Sequence, residues 1–201
     1  NAASATSYSA TFTPTADSTT NAVVSVASSK FSDAAGNTNN DGSDDNNTVT
    51  LSVDTVRPTI AISSDVASLK AGETASLSFA LSEASSDFVQ SDVTFSGGTL
   101  SNFSGSGTSY SATFTPTANS TTNGVISVAS AKFSDSSGNT NSDGSDSNNT
   151  VTLSVDTGRP TIAISSDVAS LKAGETATLS FTLSEASSNF VQSDVTVSGG
   201  T

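Results

Sequence analysis

Residues 57–99 return as residues 159–201, and residues 8–54 return as residues 110–156, both at an offset of 102, with 82 of the 99 overlapping positions identical. A near-perfect repeat of this length confines the chain to stacked copies of one folding unit. The seam between copies falls at Asp54-Thr55-Val56-Arg57-Pro58 and again at Asp156-Thr157-Gly158-Arg159-Pro160. Proline cannot donate to a sheet ladder and is tolerated at the start of a strand, so each proline marks the opening of a unit. One complete unit is expected over 56–157, preceded by the C-terminal part of another over 1–55 and followed by the N-terminal part of a third over 158–201.

Within the complete unit the apolar residues alternate with Ser and Thr at the period of a half-buried strand. The clearest run is 74–82, where Ala75, Leu77, Phe79 and Leu81 share one face. Similar runs at 59–64, 88–96, 99–104, 109–115, 125–133 and 150–156 bring the expected strands to seven, separated by Gly-, Asn- and Ser-rich turns. β-branched residues at alternate positions, with no apolar stripe at helical spacing, disfavour a helical reading. Seven short alternating strands in about 100 residues predict an all-β fold, a tandem array of immunoglobulin-like sandwiches lacking the Cys and Trp of antibody domains. Phe79, Phe88, Phe95, Phe103, Phe114 and Phe133 are expected in the core, and Lys70-Ala71-Gly72-Glu73 reads as a turn.

Composition narrows what such an array could do. The 201 residues contain no Cys, His, Met or Trp, which removes nucleophile–base pairs that need Cys or His and leaves no disulfide to staple a small domain. Nineteen acidic against six basic residues give a net charge of -13, which repels nucleic acid and anionic bilayers. The same surplus favours divalent cations as counter-charge and as the alternative staple. No apolar run approaches the roughly 20 residues that span a bilayer, and residues 1–6 do not read as a signal peptide.

The densest polar stretch lies between the sixth and seventh strands, at 135–146. The spacing Asn139-x-Asn141-x-Asp143-Gly144, with Asp135 before it and Asp146 after it, imitates the opening of an EF-hand calcium loop, although Thr150 stands where that loop has its bidentate Glu. The preceding copy carries Asp33, Asn37, Asn39, Asp41 and Asp44 at the matching positions. Such residues also make ordinary solvated loops. In a sandwich of this type the second-to-third and sixth-to-seventh connections lie at the end where the chain enters. Glu83 and Asp87 are therefore expected beside that loop and beside Asp54 of the linker, an oxygen-rich set suited to Ca2+. At the second seam the corresponding group is Asp156 with Glu185, and Asp194 nearby. Magnesium suits an all-protein cage less well, and zinc would lack His and Cys. A Glu83–Asp135 pair acting as glycosidase acid and base is disfavoured because nothing supplies an aromatic platform for a sugar. Arg57 and Arg159 are expected to pair with loop carboxylates.

The strings LSEASSDF, SDVTFSGGTLSNFSGSGTSYSATFTPTANSTT, KFSDSSGN and TLSVDTGRPTI resemble the bacterial Ig-like repeats that fill the central regions of secreted giant adhesins, including biofilm adhesins with RTX-type C-termini. The resemblance covers essentially the whole chain. It implies an extracellular, non-enzymatic stalk on the bacterial surface, whose repeats, rigidified by calcium, project an adhesive module present elsewhere. The expected partners are neighbouring repeats of the same chain. The alternative is a filament in which the partial units at the two ends of the chain complement one another head to tail.

Overall fold

The computed structural model describes residues 6–200. The complete repeat folds as two facing sheets. The first holds β3 (Ile60–Ser64), β5 (Ala75–Ser85) and β7 (Gly98–Pro116) in the order β3-β5-β7. The second holds β4 (Ser68–Lys70), β6 (Val93–Ser96), β8 (Gly124–Val128) and β9 (Thr150–Asp156) in the order β4-β9-β8-β6. No α-helix occurs among the described residues.

The alternation read from the sequence is realised residue by residue in β5, where Ala75, Leu77, Phe79 and Leu81 are buried and the Ser and Ala between them face solvent. Pairing is antiparallel with β3 (Ile60 opposite Leu81, Ile62 opposite Phe79) and with β7 (Phe79 opposite Tyr110, Ala75 opposite Phe114). A one-residue slip would turn every one of these apolar side chains outward, so burial itself holds the register. The second sheet contributes Val93, Ile126, Val128, Leu153 and Val155. Where the sheets meet, Phe88 stands edge-on to Phe79, Phe103, Tyr110 and Phe133, with ring centroids 5.0–5.8 Å apart. These are favourable geometries for the ring quadrupoles.

Several local expectations change. Residues 99–104 and 109–115 belong to one element, β7, which folds back on itself where Gly105 and Gly107 take φ of 143° and 64°. Residues 88–92 are not strand: Gln90–Asp92 form a 3-10 turn, and β6 is only four residues long. Strand β8 stops at Val128, so Phe133 enters the core from a loop. Phe95, expected in the core, is 38% exposed near the end of the edge strand β6. Lys70, expected to open a turn, also ends the short strand β4, which pairs parallel with β9, with Ser68 opposite Ser154 and Lys70 opposite Asp156.

The flanking partial repeats keep the same local structure with little covering it. Strands β1 (Ala22–Ser25) and β2 (Thr48–Leu51) pair as β8 and β9 do, and β10 (Ile162–Ser166) pairs with β11 (Leu179–Leu183) as β3 does with β5. Their apolar faces are open: Tyr8 is 83% exposed where Tyr110 is 7%, and Ile164 is 62% exposed where Ile62 is 7%.

Candidate cation site at the repeat junction

The linker is stitched to the repeat on either side of it. Looking back, the Thr55 hydroxyl donates to the Thr15 carbonyl (2.7 Å) and accepts from the Ser18 amide (3.0 Å), and the Thr55 amide donates to the Ser18 carbonyl (3.0 Å). Looking forward, Asp54 Oδ2 accepts from the Ser137 hydroxyl (2.7 Å), and the Asp54 carbonyl accepts from Asn139 Nδ2 (3.2 Å). Thr157 repeats the backward stitch onto Thr117 and Ser120.

Three carboxylates from three segments gather at this seam: Asp54 from the linker, Glu83 from near the end of β5, and Asp135 from the long loop after β8. Asp135 is well satisfied. Its Oδ1 accepts from the Ser137 amide (2.8 Å) and the Asn139 amide (2.9 Å), and its Oδ2 accepts from Asn139 Nδ2 (2.8 Å). Burial pushes its carboxyl up, but the Asn139 and Ser137 bonds outweigh that and hold it below the ordinary 3.8. Glu83 is in the opposite condition. Its Oε2 is buried without a partner, and burial, then proximity to Asp135 and the negative charge of Asp54, raise it above 4.5. Two ionised carboxylates cannot hydrogen-bond to each other, so Glu83 and Asp135 need a proton or a cation between them. A buried acceptor without a donor is a costly arrangement, and it is the feature of the seam that fits a bound cation. The cage is not closed. Among the described residues no three or more acidic side chains stand grouped as a metal site, so an ion would have to draw these carboxylates in and complete its shell with carbonyls or water.

The remaining expected ligands are spent on the protein itself. Asp87 accepts from the Ser85 hydroxyl (2.6 Å), the Ser134 amide (2.9 Å) and the Ser134 hydroxyl. Partial burial raises its pKa and these bonds lower it further than that, leaving it depressed. Asn139 bridges Asp135 to Asp54 through its amide nitrogen. Asn141, 1% exposed, accepts from the amides of Lys132 and Phe133 and donates to the Ala129 carbonyl and to Asp143 Oδ1. Asp143 is buried, and its Oδ2 accepts from the Ile60 amide at 2.6 Å. Asp146 is exposed and opens a 3-10 turn, Ser147–Asn149. In place of the alternating EF-hand pattern, Asn139, Asn141 and Asp143 bond to the linker, to the 129–133 segment and to the Ile60 amide respectively. Gly144 is glycine for another reason: a Cβ there would lie 2.1 Å from the Ser130 amide nitrogen, with Gly42 in the same position against Ser28.

The first copy of the loop repeats this internal bonding. Asp33 accepts from the amides of Ala35 and Asn37 and from Asn37 Nδ2, and Asn39 bonds Lys30, Ala27 and Asp41 as Asn141 bonds its counterparts. Asp41 also accepts from Asn47 through its carbonyl, and Asp44 closes the next turn by accepting from the Asn47 amide. Asn37 and Asp33 hold one another as Asn139 and Asp135 do, and the Asp33 carboxyl is held low by Asn37. The same internal bonding thus recurs in both copies of the loop.

At the second seam Asp156 Oδ1 accepts from the Gly158 amide (3.2 Å), and a Cβ on Gly158 would stand 3.3 Å from both Asp156 Oδ1 and Glu185 Oε1. Asp156 and Glu185 thus approach one another around the glycine. Asp194 does not join them; it accepts from the Val191 amide at 3.0 Å and caps its own turn. Arg57 pairs with no carboxylate but donates to the Thr140 carbonyl at 3.2 Å. Among the described residues the one ion pair is Lys70–Glu73 at 3.9 Å, with Arg159 likewise outside any pair.

The model of the bacterial Ig-like domain family matches residues 1–50, 54–152 and 156–201, which is nearly the whole chain in three tandem segments. The chain belongs to that family. Domains of this class are typically structural parts of bacterial surface proteins rather than enzymes. Comparisons with curated proteins and with solved structures yield no match. No helix among the described residues is long and apolar enough to cross a membrane.

Proposed function

We propose that this chain is an extender segment of a bacterial surface adhesin, a stalk whose repeats are locked in line by Ca2+ at the junctions and which carries an adhesive module away from the cell. The observation behind this reading is the junction itself. A linker bonded backward through Thr55 and forward through Asp54 lies over a buried, unpartnered Glu83 oxygen. The hydrogen bonds limit the swing of the linker, and a cation shared by Asp54, Glu83 and Asp135 would remove the repulsion that opposes closing it. Asp156 and Glu185 would serve the same purpose at the next junction. At about 3.3 Å per strand residue, a sandwich with its loops and linker adds about 40 Å of reach. Rigid junctions make reach grow in proportion to the number of repeats, whereas free linkers make it grow only as the square root. Small-angle scattering on an array of several repeats, with calcium and with chelator, tests this: the expected profile is rod-like with calcium and more compact without, and an unchanged profile removes calcium from the account.

A further inference from the structure

Most of the linker backbone between two repeats is already held. Thr55 is fixed to the repeat behind it through Thr15 and Ser18, and Thr157 is fixed in the same way through Thr117 and Ser120. Ahead of the linker, the Thr59 amide donates to the Ser82 hydroxyl and the Thr59 carbonyl accepts from the Ser82 amide, both at 2.9 Å. Thr161 and Ser184 repeat that pair at 2.8 and 2.9 Å. Pro58 and Pro160 have φ fixed by their rings, and a residue before proline is confined to extended backbone, which restricts Arg57 and Arg159. Between the held threonine and the restricted arginine stands one residue, Val56 at the first seam and Gly158 at the second. Its amide donates to Asp54 Oδ1 or Asp156 Oδ1, at 3.2 Å in each case, a bond inside the linker itself.

At this position the two copies depart from their near identity, and they do so between residue types of narrow and wide backbone range. The side chain of Val56 excludes most of φ/ψ space, whereas glycine, with no Cβ, crosses freely between negative and positive φ. The turn does not require glycine. Gly158 lies outside the positive-φ group that includes Gly36, Gly72 and Gly138, so it holds a conformation open to valine. Its missing side chain has a second effect. A Cβ there would stand 3.3 Å from both Asp156 Oδ1 and Glu185 Oε1, so a side chain at this position acts as a stop between the linker and the repeat ahead. Val56 supplies that stop and Gly158 removes it. A forward tie varies as well: the Ser137 hydroxyl holds Asp54 Oδ2 at 2.7 Å, and the first copy has Ala35 at the matching position.

We propose that the residue at 56 and 158 is the pivot of the junction, and that valine and glycine there make two kinds of joint, a stiff one at the first seam and a bending one at the second. An array carrying both runs straight through its valine linkers and bends at its glycine linkers, so its reach depends on where the glycines fall as well as on the number of repeats. This deepens the stalk reading and rests on it for its biological use. It concerns the backbone freedom of one residue, however, and holds with or without a cation.

Spin labels test it in the full chain, which has no cysteine of its own to compete. Labels at Thr20→Cys and Ser86→Cys span the first seam, and labels at the matching Thr122→Cys and Ser188→Cys span the second; all four sites are exposed. Distance distributions are measured by double electron–electron resonance in chelator. Val56→Gly should widen the first distribution about 1.5-fold or more, and Gly158→Val should narrow the second by a similar factor. Gly158→Ala, which adds the Cβ alone, should narrow it in the same direction. An unchanged first width in Val56→Gly, or an unchanged second width in both Gly158 variants, overturns the pivot. A fall in the unfolding midpoint of the complete repeat alongside the change in width also overturns it, because the residue would then belong to the fold and not to the joint. Added calcium separates this from the stalk reading. If calcium narrows neither seam while the swaps act, the ion is removed and the pivot stands; if calcium narrows the seams and the swaps do nothing, the ion stands and the pivot is refuted.

Discussion

Glu83 is the residue at which pH and stability meet, and where the proposed cation would act. Its folded pKa is raised, so the stability it contributes is fully present below 4.5 and is lost as pH rises through its folded value. Asp87 and Asp135 act in the opposite sense: their depressed values contribute stability above 3.8 that disappears as pH falls through their folded values. In chelator, thermal unfolding across pH should therefore show a mildly acidic optimum, and Glu83→Gln should flatten its neutral side, raising neutral-pH stability by about 1 kcal/mol. Added calcium should stabilise the wild-type chain and leave the variant unmoved. Equal responses of the two would place the ion elsewhere. Asn141 is expected to behave quite differently, because four hydrogen bonds end on it in the core. Asn141→Ala should cost about 3 kcal/mol in denaturant unfolding irrespective of calcium, through the donors and acceptors it leaves unpaired.

At the scale of elements, the two sheets meet through contacts that leave no room for substitution at particular glycines. A Cβ on Gly124 in β8 would stand 2.6 Å from the ring of Phe114, which is fully buried in β7. Gly124→Ala should cost about 1–3 kcal/mol by overpacking, measured as a fall in denaturant midpoint with unchanged slope. The equivalent first-copy position is Ala22. Much of this was legible in advance. Period-two alternation located β3, β5 and the second arm of β7 because each buries one face only. Strand β4 was not legible, since three residues carry no periodicity, and its pairing with β9 spans most of the repeat in sequence. Phe95 was misplaced for a related reason: alternation assigns a face but cannot show that β6 lies at the edge of its sheet.

For the whole molecule, what matters is how one repeat is joined to the next. At a junction, Asp54→Ala should loosen the linker by removing the bond to Ser137, lowering the radius of gyration of an array while leaving the unfolding midpoint of each repeat in place.

The repeat and the sandwich were determined by the sequence alone, because an offset of 102 and the alternation of apolar with hydroxyl side chains are local or periodic signals. The gathering of Asp54, Glu83 and Asp135 followed from knowing which loops share an end. What only the tertiary structure decided was the use of each polar side chain there. Asn141, Asp143 and Asp87 have the chemistry of calcium ligands, and a sequence cannot show that backbone amides of Lys132, Ile60 and Ser134 already occupy them. Ligand capacity is a property of residue type; whether it is free depends on the donors that folding brings within about 3 Å.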